Sequence, residues 1–113
     1  MSDCLFCRIV DGEIPATVVR ESPRTLAFRD IAPQAPTHVL VVPKTHHLDV
    51  ASLVAADPEL ALEVLREAHA VADDEGVADS GYRVLFNTGD DAGQTVHHVH
   101  AHVLGGRPLG HLG

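Results

Sequence analysis

Tryptophan is absent from this sequence, tyrosine occurs once and phenylalanine three times. A core built almost without large aromatics has to come from Val, Leu, Ile and Ala. The 45% hydrophobic content is that of a folded globular protein and argues against disorder. Basic residues are also scarce: eight Lys and Arg stand against sixteen Asp and Glu, a formal net charge of −8. That balance argues against a nonspecific grip on nucleic acid, which needs clustered Lys and Arg. It leaves room for a small phosphorylated ligand, because backbone amides, helix ends and imidazoles hold phosphate locally. No run approaches the roughly 18 apolar residues of a membrane span, so no membrane partner is expected. The start, MSDCLFCRIVDGE, is acidic and lacks a long apolar core, so no signal peptide is expected and a reducing cytoplasm is the expected location. The only two cysteines lie three residues apart, too few for a disulfide framework.

No internal repeat, low-complexity tract or linker divides the 113 residues, and one domain over 1–113 is expected. The segment CLFCRIV predicts a short helical turn with Leu5, Phe6 and Ile9 on one side. Thr17 to Arg20 and Thr25 to Arg29 read as a hairpin, joined through Glu21, Ser22, Pro23 and Arg24. Pro33 and Pro36 mark a loop before THVLVVP, a β-branched strand ending at Pro43. Asp57 as N-cap, Pro58 and Glu59 start a long helix in which Leu60, Ala61, Val64, Leu65, Ala68, Val71 and Ala72 recur at helical spacing, with Gly76 as the stop. YRVLFN predicts a fourth strand, DDAGQT a loop, and VHHVHAHVL a last strand ended by Gly105 and Gly106. Strands around a single long helix indicate an α+β domain rather than repeated βαβ units.

Four histidines fall within six positions of that last segment. On a strand, His98, His100 and His102 share one face, with neighbouring rings roughly 6–7 Å apart. Spacing alone leaves a metal cluster, a solvent-facing stripe and a reaction centre all open. A phosphate set before the strand could touch two of these rings: a neutral imidazole nitrogen can attack phosphorus, and a protonated one can donate to it. Just upstream, Gly93 is expected to permit a close backbone approach, and Gln94 and Thr95 supply an amide and a hydroxyl. The pair Cys4 and Cys7 forms C-x-x-C. It lacks the preceding strand of a thioredoxin-like redox motif, whereas a structural zinc site needs four ligands, two of which histidines can supply.

HVHAHVL matches the motif that names the histidine triad (HIT) superfamily. CLFCRIVDGEIPA, LAFRDIAPQAPTHVLVVPKTH and GYRVLFNTGDDAGQTVHHVHAHVLGGRP resemble its Hint branch, so the likeness covers nearly the whole chain in order. The resemblance implies a HIT-like α+β fold: about five antiparallel strands, one long helix and a short N-terminal helix, paired as a homodimer. It implies a nucleotide-binding hydrolase, a purine nucleoside phosphoramidase or nucleotidyl hydrolase, acting on P–N or phosphoanhydride bonds at the α-phosphate of an AMP-like purine nucleotide. His100 is then the nucleophile that becomes covalently nucleotidylated. His102 holds the phosphate, His38 supports from behind the nucleophile, His98 helps to orient it, and Thr95 attends the leaving group. Asn87, Gly93, Gln94 and Thr95 are implied near the phosphate and leaving group, and Asp30 at the ribose hydroxyls. Phe6, Ile9, Phe28, Ile31 and Leu40 are implied to form the slot for the base. On residue type alone those five read as core, and Asp30 and Asn87 as turn or cap residues.

In many bacterial members of the family the C-x-x-C, the histidine of PKTH and the first triad histidine bind zinc. Here these are Cys4, Cys7, His46 and His98, so structural Zn²⁺ is implied. His47 and His97 adjoin ligand positions and could exchange register with them. His69 and His111 read as surface residues. Thr95 stands where relatives more often carry Ser. The segment after GGRP is short and has no Trp, which bears on leaving-group preference. Two alternatives to the phosphoramidase reading stand beside it: a dinucleoside polyphosphate hydrolase, and a zinc-stabilised nucleotide-binding module with little turnover. Attack needs a neutral ring, so activity is expected to fall on acidification near pH 6.5 unless burial lowers the pKa of His100.

Overall fold

The computed structural model describes residues 3–111. In chain order the elements are α1 (Leu5–Val10), β1 (Val18–Glu21), β2 (Thr25–Arg29), β3 (Thr37–Pro43), α2 (Val50–Ala56), α3 (Pro58–Asp74), β4 (Tyr82–Leu85), a 3-10 turn at Asp90–Ala92, and β5 (Ala101–Gly105). The strands form one sheet in the order β1-β2-β3-β5-β4, each neighbouring pair antiparallel. This is the expected α+β class with a five-stranded antiparallel sheet.

All seven residues of the central strand β3 are buried, because both faces of the sheet are covered. Alternation sorts them between two layers. Val39 and Val41 pack on the helix side with Ala27, Ala101 and Val103, against Leu60, Val64 and Val71. Leu40 and Val42 point the other way and join Leu26, Phe28 and the α1 residue Phe6. His38 and His102 share the parity of this second face, which is how two imidazoles come to line the sheet opposite the long helix.

The α3 helix begins as expected: the Asp57 side chain accepts from the Leu60 N–H at 3.1 Å, with Pro58 next and Glu59 in the first turn. Leu60, Val64, Ala68, Val71 and Ala72 make one buried stripe. Burying a leucine such as Leu60 contributes about 1.5–3 kcal/mol. The helix stops at Glu75, and Gly76 takes the positive φ of +75° that ends it. Arginines then tie the β1–β2 hairpin to this layer, Arg20 to Glu67 at 3.0 Å and Arg29 to Glu75 at 2.6 Å. Such half-exposed pairs contribute about 1 kcal/mol or less each.

Three features depart from the sequence reading. The α2 helix was not expected; Asp49 caps it by accepting from the Ser52 N–H at 2.8 Å, but only Leu53 is buried, so its seven residues carry no readable apolar period. The last strand starts at Ala101 rather than at Val96. Residues 96–100 leave the pleat because the Val99 N–H bonds to the His47 carbonyl at 2.8 Å and the His98 ring turns inward to the Pro43 carbonyl. The three alternating histidines therefore do not line one strand face. Finally, β4 ends at Leu85 instead of Asn87, and β1 runs one residue later than expected. Among the described residues no helix is long and apolar enough to cross a membrane.

Candidate active site

Across the β3–β5 ladder, His102 stands opposite Leu40 and His38 opposite Leu104, so the two histidines are diagonal neighbours on one face. The His38 Nε2 lies 3.0 Å from the His102 Nδ1. At the far side of the His38 ring, the Gln34 backbone N–H donates to Nδ1 at 3.0 Å. A backbone N–H can only donate, so neutral His38 carries its proton on Nε2 and donates it to His102 Nδ1. Neutral His102 must then carry its own proton on Nε2. That nitrogen is buried and has no partner among the described residues. A buried donor left unpaired costs about 1–3 kcal/mol, which a ligand oxygen would relieve.

His100 has the opposite polarity. Its Nδ1 lies 2.8 Å from the His98 carbonyl, which can only accept. The proton therefore sits on Nδ1, and Nε2 presents a bare lone pair. The ring stands edge-on to Phe6 with centroids 5.0 Å apart, and 4.8 Å from the ring of His102. This is closer than on an extended strand, because residue 100 precedes the pleat. Burial lowers the pKa of His100. Burial, followed by repulsion from His100 and His38 and opposed by Asp30, lowers His102 to about 4. His38 is lowered too, by burial, against the pull of Asp30. The three rings are thus neutral at pH 7, the form that leaves His100 able to attack.

A pH dependence of stability follows. The folded pKa of His102, about 4, lies below its unfolded value near 6.5. Its contribution is complete above pH 6.5 and is lost as the pH falls from there toward 4, where charging the ring favours the unfolded chain. The loss from this ring is at most about 3 kcal/mol. Urea midpoints should therefore fall more steeply over that window in the parent than in His102→Gln; parallel profiles would refute the assignment.

A cavity of about 420 Å³ opens before His100 and His102. Its walls include Phe6, Ile9, Phe28 and Leu40, with Asp30 and Thr95 as polar groups, and Ile31 stands fully exposed at its lip. The fold brings these residues together around one cavity. One Asp30 oxygen accepts from the Ala32 N–H at 2.8 Å, and the other lies 3.5 Å from His38 Nε2. Leu5, Ile14 and Val96 also line the cavity; Leu5 carries a signal only for the apolar side of α1, and Ile14 and Val96, each without an adjoining apolar run, carry none. Asn87, Gly93 and Gln94 are not among its lining residues. The Gln94 side chain is spent outside the cavity, donating to the Leu48 carbonyl between β3 and α2 at 2.8 Å and accepting from the Gly89 N–H of its own loop at 3.0 Å. At Gly93 a Cβ would meet open space, so glycine serves the left-handed φ of +82° there and not a close approach. His38 hydrogen-bonds to His102, and its support reaches that ring rather than His100.

The second cluster lies behind His98. Cys4 caps α1 by accepting from the Cys7 N–H at 3.3 Å. From there the two sulfurs face His98 Nδ1 at 3.3 and 3.4 Å, while His46 Nδ1 lies 3.5 Å from the Cys7 sulfur and 3.3 Å from His98 Nδ1. All four donor atoms fall within 4.8 Å of one another, an arrangement that can hold a metal ion. His98 is fully buried, and its Nε2–H donates to the Pro43 carbonyl at 2.8 Å, which turns the Nδ1 lone pair toward the sulfurs. Burial holds its pKa at about 4, so it stands neutral, as a ligand must. His47 turns to the Thr45 hydroxyl at 3.3 Å, and neither it nor exposed His97 joins the cluster. His69 bonds to the Tyr82 hydroxyl, and His111 is exposed.

Comparison with known proteins bears on this geometry. The profile of the HIT domain family matches residues 11–109. The chain is 43% identical over 109 residues to a purine nucleoside phosphoramidase of Escherichia coli K12, covering 96% of this chain and 91% of that one. A crystal structure of a HIT family hydrolase from Legionella pneumophila superposes with a TM-score of 0.92 at 49% identity, covering 96% of both chains. A histidine triad protein from Clostridium difficile gives a TM-score of 0.94 at 39% identity, over 100% of this chain and 98% of that one.

Proposed function

The chain belongs to the HIT family, and on that premise we propose that it is a nucleotide-binding hydrolase of the purine nucleoside phosphoramidase type. The observation that carries this reading is the opposed polarity of two neighbouring rings. His100 offers a bare Nε2 and His102 a protonated one, both on a cavity with an apolar slot and a carboxylate. A purine would lie in the cavity, against the wall that Phe6, Phe28 and Leu40 form, and Asp30 would accept from the ribose diol. The α-phosphate then sits at the rings, where His102 Nε2–H donates to a non-bridging oxygen. His100 Nε2 attacks phosphorus and a P–N bond to the enzyme forms while the bond to the leaving amine breaks. The amine leaves with a proton from the Thr95 hydroxyl, which regains one from the water that attacks next. Water then attacks phosphorus, the His100–phosphorus bond breaks, and nucleoside monophosphate is released with His100 restored.

The test is hydrolysis of an AMP amide. His100-dependent release of AMP supports the reading. Diadenosine polyphosphate beating the amide in kcat/KM would make the chain a dinucleoside polyphosphate hydrolase instead, and tight AMP binding without turnover would make it a binding module.

The reading includes zinc at Cys4, Cys7, His46 and His98. A tetrahedron with Zn–S near 2.3 Å and Zn–N near 2.0–2.1 Å has edges of roughly 3.3–3.8 Å. Four of the six donor separations, at 3.3 to 3.5 Å, fall within that range, and all six lie within 4.8 Å. When bound, the ion would be structural, with all four positions filled by protein. The reading also includes a homodimer. β4 is an edge strand with no strand paired to its outer side among the described residues, and Leu62 and Leu65 are exposed on α3. Light scattering should return twice the chain mass, and a monomer at micromolar concentration would remove this part of the reading.

A further inference from the structure

The GGRP segment after the histidines has no part in the chemistry so far, yet it is seated on the loop that controls His38. Gly106 passes so close to that loop that a Cβ would come within 2.9 Å of Pro36 Cβ, and its φ is +94°. This close passage puts Arg107 beside the loop. One terminal nitrogen of its guanidinium donates to the Gln34 carbonyl at 2.7 Å, and the other donates to the Pro108 carbonyl at 2.7 Å. Between Pro33 and Pro36, neither of which has an N–H, Gln34 supplies the amide that donates to His38 Nδ1. The Gln34 side chain braces the same turn by donating to the Ala32 carbonyl at 3.0 Å.

We propose that Arg107 is a positioning residue for the hydrolytic reaction, acting through Gln34 and His38 on the tautomer of His102. The relay runs in one direction. Arg107 fixes the Gln34 carbonyl, the Gln34 N–H occupies His38 Nδ1, the His38 Nε2–H occupies His102 Nδ1, and His102 is left with its proton on Nε2. If the loop loosens and the Gln34 amide swings away, His38 is free to take its proton on Nδ1. Its Nε2 then becomes an acceptor, and His102 can move its proton to Nδ1 and lose the donor that faces the phosphate. The reacting group itself is untouched, because His100 takes its tautomer from the His98 carbonyl. The catalytic part of this inference rests on the phosphoramidase reading; the tautomer part does not.

The experiment compares the parent with Arg107→Ala, Arg107→Lys and Arg20→Ala, by nitrogen-15 spectra of the histidine rings and by AMP amide hydrolysis. Nitrogen-15 shifts separate the protonated from the bare ring nitrogen without any substrate. In Arg107→Ala we expect His38 and His102 to become mixtures of tautomers while His100 stays as in the parent. We expect kcat to fall roughly tenfold with KM moving much less. Arg107→Lys, which keeps one donor for the Gln34 carbonyl, should recover most of both readouts. Arg20→Ala, which removes an arginine contact between β1 and α3, should change neither. Parent-like tautomers in Arg107→Ala would overturn the relay, whether or not the rate fell. So would equal effects from Arg20→Ala, which would mark general loosening. A parent without amide hydrolysis would defeat the proposed function, while the ring spectra would still decide whether Arg107 sets the tautomer.

Discussion

His100→Ala should reduce AMP amide turnover by about four orders of magnitude or more while leaving AMP binding within a few-fold of the parent. The two halves of this expectation come from different parts of the site. On the proposed mechanism turnover needs a nitrogen lone pair next to phosphorus, and His100 Nε2 would supply it, because Nδ1 is committed to the His98 carbonyl. The other imidazoles are poorly placed to substitute. His102 Nδ1 already accepts from His38, and His98 Nε2 donates to the Pro43 carbonyl. On the proposed reading binding rests on Asp30, His102 and the apolar slot, all of which the substitution leaves in place. Losing the half-buried ring removes an edge contact with Phe6 and leaves the sheet intact, so the variant should stay folded. Initial rates and an AMP titration on the same preparation check both halves. Equal loss of binding and turnover would mean that His100 holds the ligand rather than attacks it. Unchanged turnover would place the nucleophile elsewhere.

What the sequence made legible differs by residue. Asp57, Pro58 and the Leu60–Ala72 stripe announce α3, because a capped helix with a full apolar period carries its own signal. The β-branched run THVLVVP announces the buried strand β3 but not which of its residues face the helix, because all seven are buried. The histidine segment misleads in part: alternation predicts a strand through His98 and His100, but burying His98 on the Pro43 carbonyl and the two sulfurs overrides that local period. The diagonal contact of His38 with His102 spans 64 residues and depends on strand order, which no local pattern contains. The C-x-x-C was visible, but its meeting with His46 and His98 follows only from the resemblance and the fold. Arg107 was one arginine in a familiar motif. Its role depends on a glycine approach that becomes visible only when Pro36 is placed against it.

The second large effect concerns the cluster behind the nucleophile. Stripping metal from the purified protein with a strong chelator should lower its thermal midpoint by roughly 10 °C or more, and equimolar zinc should restore it. The cluster ties α1 to the segment after β3 and to the turn before β5, three pieces with no strand pairing among them. A ligand at about a thousand times its dissociation constant stabilises the folded state by about 4 kcal/mol. In a domain of this size about 1 kcal/mol corresponds to roughly 4 °C or more. Cys7→Ser, which exchanges a thiolate for a weak hydroxyl ligand, should show the low midpoint from the start and bind no stoichiometric zinc. Because the His98 ring belongs to the cluster and its carbonyl orients His100, the stripped protein should also lose activity, but the midpoint alone decides the metal question. A protein isolated without metal, whose midpoint ignores both chelator and zinc, would reduce the four side chains to a hydrogen-bonded cluster. The brace on the nucleophile would then rest on the His98–Pro43 hydrogen bond alone.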